Sequence, residues 1–361
     1  MAPPRTLWMT AFRWLRRLAL LVILALLLWF VVIPQLGEAQ AGFAALHSIS
    51  IPLIALAVAC EVVSLLVLGL FARSVLNPAT RPGYFTVLRV RFTDLGVNNV
   101  VPGGGVVALA VRYRLLTQLG MNAGDVLSSA GIEITMGTLV LGVVFGIGVT
   151  LSVPSAGASF YPYAATVIGG VFVLALVAFV LLLYYREHTH RIIRSLGRRF
   201  PSLPQQSLSD FIDSVADNLA AFASNRRRLV ATTIWALANW LFDAASLWVF
   251  LLAFGHSFPI GQLLLAYGLA SLLGMLPITP GGLGVIEGVL VPALVGFAAP
   301  HTLVVLGVVA WRLVEFWLPI PVSLIAYGSL RAGVLRRSRS LSSSKRASLS
   351  TGPDLVERHV G

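Results

Sequence analysis

The 361-residue chain is 57% hydrophobic and 11% charged, too little charge to coat a soluble protein of this length. Its 26 Lys and Arg against 14 Asp and Glu give a formal charge of +12, yet no aromatic-basic module accompanies them, which argues against a nucleic-acid partner. The single cysteine, Cys60, excludes an internal disulfide and a cysteine-rich metal site.

In chain order, apolar runs at 18–33, 51–71, 126–151, 163–185, 229–254 and 303–328 approach the roughly 20 residues that cross a bilayer core. They predict an all-α polytopic membrane bundle of about six spanning helices. The first run follows a basic segment and precedes Ala39-Gln40-Ala41, which has the form of a signal-peptide cleavage site. Its length favours a retained anchor, with cleavage as the alternative. Residues 207–224 carry Leu208, Phe211, Ile212, Val215, Leu219 and Phe222 at helical spacing, which predicts an amphipathic helix in a loop spanning 186–228. The Ser- and Arg-rich stretch 331–361 is too poor in large apolar groups to form a core and is expected to be disordered.

Basic residues are not spread evenly. Arg5, Arg13, Arg16 and Arg17 precede the first run, Arg73, Arg81, Arg89 and Arg91 follow the second, and eight arginines lie in 186–228. The loops 34–50, 152–162, 255–261 and 297–302 hold none. This is the positive-inside pattern of a cytoplasmic-membrane protein with both termini and the 186–228 loop in the cytoplasm.

Two apolar segments are broken. The first, 92–111, is interrupted at Asn98-Asn99-Val100-Val101-Pro102-Gly103-Gly104-Gly105, and the second, 262–296, at Pro277-Ile278-Thr279-Pro280-Gly281-Gly282-Leu283-Gly284. Arginines on both sides of the first predict a segment that enters and returns. The second reads as a hairpin dipping in from outside, or as two tilted short spans. Proline ends a helix and glycine permits unusual backbone angles, and such backbone is tolerated at membrane depth only inside protein or facing a wet cavity. Half-helices starting near Val106 and Val285 would aim free N–H groups at that cavity, where they suit an anion such as a lipid phosphate. A close-packed kink without a ligand is the bland alternative.

Acids flank each break at equal separation: Glu61 and Glu133 stand 72 residues apart, as do Asp243 and Glu315. Each unit reads as span with acid, broken hairpin, span with acid, over about 51–151 and again over about 229–328. One unit starts outside and the other inside, the pattern of an inverted repeat in secondary transporters. A charge at this depth is costly, so these four acids are candidates for ion coupling and Arg312 for substrate contact. Arg312 and Glu315 also lie three apart on one helix and can pair with each other. No His-Glu-x-x-His or Gly-x-Ser-x-Gly motif and no Walker loop is present, so neither an enzyme nor a cofactor is expected.

The run from Leu276 through Pro280, Gly281, Gly282, Gly284 and Glu287 to Gly288, with Trp311-Arg312-Leu313-Val314-Glu315-Phe316-Trp317-Leu318-Pro319, resembles the lysylphosphatidylglycerol synthase transmembrane-region family of flippase-like proteins. Asn98, Asn99, Pro102, Gly103, Gly104, Gly105 and Arg112 resemble the family's first signature. The resemblance covers most of 15–330 and implies movement of a lipid headgroup across the cytoplasmic membrane. It marks Pro102, Arg112, Pro280, Gly281, Gly282, Gly284, Glu287, Arg312 and Glu315. The chain departs from the pattern at Val106, Val107 and Ala108 and at Ile134, and nothing after Leu330 reads as a lysine-adding domain. The expected partner is a membrane phospholipid or polyprenyl-linked lipid, gathered by Arg89, Arg91, Arg112 and Arg114, together with an envelope-biosynthesis enzyme. The alternatives are a proton-coupled transporter of a small solute and a non-transporting membrane subunit.

The charge pattern makes one test immediate. Tags placed at residues 2, 205 and 361 should all be shielded from external label in intact cells, and labelling of any one from outside would overturn the inverted repeat.

Overall fold

The computed structural model describes residues 50–101, 103–152, 170, 222, 224–276 and 279–333. The runs at 18–33 and 163–185, most of the 186–228 loop with its amphipathic helix, Pro102 and the basic tail lie outside the described residues. The described residues are mostly helical, with no strand among them. Helices α1 (Ile51–Val75), α4 (Ala123–Ser152) and α5 (Arg226–Ala253) are long and apolar enough to span. So is the continuous stretch His301–Ala332, formed by α8 (His301–Arg312), a π turn (Leu313–Trp317) and α9 (Pro319–Ala332).

Each broken segment is a pair of shorter helices. The first is α2 (Tyr84–Val100) and α3 (Gly104–Gln118); the second is α6 (Ile260–Gly274) and α7 (Val285–Val295), with a 3₁₀ turn at Pro280–Gly282 between them. Helix α3 therefore begins two residues earlier than the sequence pattern suggests, because Gly103 adopts a left-handed backbone (φ +67°) that turns the chain into it. At the second break Gly281, Gly282 and Gly284 all have positive φ. Glu287 then closes the start of α7 by accepting the Gly284 N–H at 2.6 Å. The π turn precedes Pro319, which has no N–H to give to the preceding turn; Leu318 N–H reaches back five residues to the Leu313 carbonyl at 3.1 Å.

The two halves pack as antiparallel counterparts. Along α1 and α5, the Ser246 hydroxyl donates to the Ala57 carbonyl (3.0 Å), Ser64 to Asn239 (3.1 Å) and Thr232 to the Ser74 hydroxyl (2.9 Å). As one number rises the other falls, so the first helix of each half runs opposite to its counterpart. Arg228 at the start of α5 completes the pairing by donating to the Ser74, Val75 and Leu76 carbonyls at 3.0, 2.7 and 2.7 Å, which satisfies the open end of α1.

Each first arm also packs on the last span of the other half: α6 on α4, and α2 on α9. Glycines set the α4–α6 approach. A methyl group on Gly148 would lie 2.4 Å from the Leu265 nitrogen, one on Gly261 2.7 Å from the Leu151 Cβ, and one on Gly268 2.8 Å from the Phe145 Cβ. On α2, a methyl group at Gly96 would sit 2.0 Å from the Ser323 hydroxyl. This exchange of arms is reciprocal between the halves, and the two breaks come into contact.

Two glycine comparisons follow from these distances. Gly148→Val should cost about 1–3 kcal/mol through overpacking, whereas Gly146→Val, with nothing within 4 Å, should stay within about 0.5 kcal/mol. At the breaks, a methyl group on Gly281 would meet Phe316 at 2.6 Å and Asn99 at 2.7 Å, and one on Gly104 would meet the Asn98 carbonyl at 2.3 Å, while Gly103 has open space. Gly281→Ala and Gly104→Ala should therefore melt lower than Gly103→Ala, whose cost is the left-handed backbone alone, about 1–2 kcal/mol. Thermal unfolding in detergent checks both rankings.

Candidate functional site

The breaks meet around Asn98 and Asn99. Asn99 is buried and donates its amide to the Phe316 carbonyl at 2.9 Å, joining the end of α2 to the π turn. Arg312 donates to the Gly281 carbonyl at 3.3 Å from the other side. A cavity of about 380 Å³ opens beside this junction, lined among others by Glu61, Arg91, Asp94, Asn98, Gly105, Arg112, Glu133, Asp243 and Glu315. It adjoins a second space of about 240 Å³ lined by Asn98, Gly104, Gly105, Asp243, Gly281, Gly282 and Glu315. All four acids singled out in the sequence thus converge on one site, although they come from both halves.

Three charged groupings surround it. In the first, Arg91 bridges Asp94 (3.0 Å) and Glu133 (3.2 Å), and Arg112 binds Glu133 and approaches Asp94 at 3.9 Å. In the second, Arg312 bridges Glu287 (2.6 Å) and Glu315 (2.5 Å) and stacks over the rings of Trp311 and Phe316 at 5.7 and 4.8 Å. In the third, Asp243 accepts from the Tyr267 hydroxyl at 2.7 Å and the Trp311 indole N–H at 2.8 Å, and Glu61 faces it. Two arginines thus face two acids, one arginine faces two more, and Glu61 and Asp243 have no salt-bridge partner among the described residues.

Several expected site residues take other positions. Asn99, Gly103, Pro280, Gly284, Glu287 and Arg312 do not line the cavity; they build the frame behind it. Arg112 and Arg312 are buried and committed to carboxylates, because a guanidinium in an apolar interior needs a counter-charge. Of the four arginines expected to gather an anion, Arg89, Arg91, Arg112 and Arg114, Arg91 and Arg112 are already engaged by acids. Only Arg114 among them lines a separate groove of about 370 Å³, with Gln118, Tyr327 and Arg331. Neither Arg114 nor Arg331 has an ion-pair partner among the described residues, and no acid lines the groove.

The sequence reading passed over Asp94 and Tyr267, and gave Trp311 no role beyond its place in the second signature. Asp94 carried a signal in its position three after Arg91; the two aromatics carried none, since only folding brings α6 and α8 to Asp243. Among the described residues no three His, Cys, Asp or Glu side chains are grouped to hold a metal ion.

The comparisons agree with this architecture. Residues 17–323 match the family described as lysylphosphatidylglycerol synthase TM region. A UPF0104 membrane protein of Methanothermobacter thermautotrophicus is 33% identical over 118 residues, 32% of this chain and 33% of that one. Glycosyltransferase AglD of Haloferax volcanii is 29% identical over 196 residues, 52% of this chain and 31% of its own. Inner membrane protein YbhN of Escherichia coli is 24% identical over 225 residues, 62% of each. The matches span about a third of the first two of these curated relatives and less than two thirds of the third. With spanning helices, paired breaks and both signature runs accounted for, this multi-pass membrane protein belongs to the lysylphosphatidylglycerol synthase TM region family.

Proposed function

We propose that the chain moves the headgroup of an anionic phospholipid or a lipid-linked phosphate across the bilayer, and that it is not an enzyme. The observation that carries this reading is the pairing of a charged cavity with an apolar rim. The cavity is lined by Arg91, Asp94, Arg112, Glu133 and Gly105 and also by Ile134, 59% exposed, and Met275, 39% exposed, with Leu276, 39% exposed, lining the adjoining space. A headgroup needs the first and acyl chains that stay in lipid need the second. A solute carrier would need no such edge.

The division of labour differs from a simple arginine trap. Arg91, Arg112 and Arg312 are held by acids, so a phosphate in the cavity relies on the N–H groups at the start of α3 and on exchange of partners within the Arg91–Asp94–Arg112–Glu133 group. Capture falls to Arg114 and Arg331. Their groove is basic at one end and apolar at the other, where Val97, Val111 and Leu324 lie, which suits an anionic lipid.

Purified protein in vesicles with headgroup-labelled phosphatidylglycerol, phosphatidylethanolamine and polyprenyl phosphate tests this directly. The anionic lipids should cross faster than in protein-free vesicles, and Arg114→Gln with Arg331→Gln should slow them several-fold without lowering thermal stability. If no lipid of the panel is accelerated, the reading fails.

A second set of variants separates support from substrate contact at Arg312. Arg312→Gln leaves Glu287 and Glu315 without their shared cation and should cost on the order of 3 kcal/mol. Adding Glu315→Gln should recover part of that stability. Because Arg312 does not line the cavity, transport is expected to fall in Arg312→Gln and to return in part with stability in the double variant. Transport that stays lost in a double variant of restored stability would make Arg312 a substrate contact as well as a counter-ion.

A further inference from the structure

The contact between α1 and α5 brings two acids face to face. Ala57 lies opposite Ser246 and Ser64 opposite Asn239, so the antiparallel register sets Glu61, between them, against Asp243. The two carboxyl groups are within hydrogen-bond reach, and Ser246 also reaches Glu61. Both are almost fully enclosed, Glu61 at 1% exposure and Asp243 at 9%, yet both border the cavity. Their equivalence in the repeat places the contact where the halves meet.

The hydrogen-bond inventory around this pair lacks one donor. Both oxygens of Asp243 already accept, from Tyr267 and from Trp311. Glu61 Oε2 is buried and has no hydrogen-bond partner among the described residues. Two ionised carboxylates in contact have no proton to share and repel each other. Of the other charged groups facing them, Glu315 adds negative charge and Arg312, the nearest cation, is engaged by Glu287 and Glu315. The Arg91 and Arg112 guanidiniums are likewise held by Asp94 and Glu133.

We infer that the Glu61–Asp243 pair is a proton-binding site, with the exchangeable proton on Glu61 donated to Asp243, and that its loading and release drive the transport cycle proposed above. Asp243 is the fixed acceptor, held by its two aromatic donors. Glu61, which lines the cavity and keeps one oxygen without a partner among the described residues, is the member that loads and releases the proton. When the proton leaves, the repulsion between the halves falls on the α1–α5 contact, the seam along which an inverted repeat rocks. The driving part of this inference rests on the translocation reading; the proton site itself does not.

The test separates the two. Infrared difference spectroscopy of the purified protein, titrated in H₂O and D₂O, should show a protonated-carboxyl C=O band that downshifts on deuteration and fades as pH is raised. The band should vanish in Glu61→Gln, which keeps the shape and supplies an amide donor, and should shift but persist in Asp243→Asn. Sodium added at constant pH should leave it unchanged. Absence of the band in the parent protein, its survival in Glu61→Gln, or its removal by sodium would overturn the proton site. In vesicles, an imposed pH gradient should accelerate labelled lipid several-fold in the parent protein and have no effect in Glu61→Gln. A gradient response that survives in Glu61→Gln would overturn the driving role; a normal band in a protein that moves no lipid would overturn the translocation reading while leaving the proton site in place.

Discussion

Arg312 is the side chain on which the second half depends. It reaches Glu287 at the start of α7, Glu315 on the π turn and the carbonyl of Gly281 in the break. Each contact answers a demand of the medium. Backbone freed from a helix inside a membrane must find a partner within the protein, and a guanidinium there must find a carboxylate. One residue meets both demands at once, and in doing so fixes how the break, the half-helix and the last span sit together. The first half solves the same problem with two arginines and two acids, so its break is bounded by a closed ionic group instead of a single hub.

The halves are joined by contacts that would be weak singly. Hydroxyl and amide hydrogen bonds join α1 to α5, glycines let α4 meet α6 and α2 meet α9, and Arg228 closes the end of α1. Without a hydrophobic drive between helices in lipid, close approach through small residues and a few polar links is the available glue. Such a seam holds the two halves in one register. The acids that lack arginine partners, Glu61 and Asp243, lie on that seam, whereas those that have them frame the breaks.

This division gives the site its logic. Arg91, Arg112 and Arg312 are spent on internal balance, whereas Arg114 and Arg331, without an ion pair among the described residues, line a separate groove. The basic groove and the charged cavity are thus separate places in the fold.

Composition and pattern by themselves determined that this is a membrane helix bundle, where its long described helices run, where its chain breaks, and that the breaks are repeated. Each follows from local physics: apolar length, helix-ending proline, glycine at positive φ, and charge excluded from lipid. The same local rules marked Glu61, Glu133, Asp243, Arg312 and Glu315 as costly and therefore notable. Only the tertiary structure decided what each one touches. Asp94 joins Arg91 and Arg112, Tyr267 and Trp311 orient Asp243, and Asn99, Glu287 and Arg312 retire behind the cavity wall, because partners in a bundle come from helices far apart in the chain. A sequence states which charges must be compensated at depth; the antiparallel packing of the two halves alone determines by what, and so which side chains remain free to act.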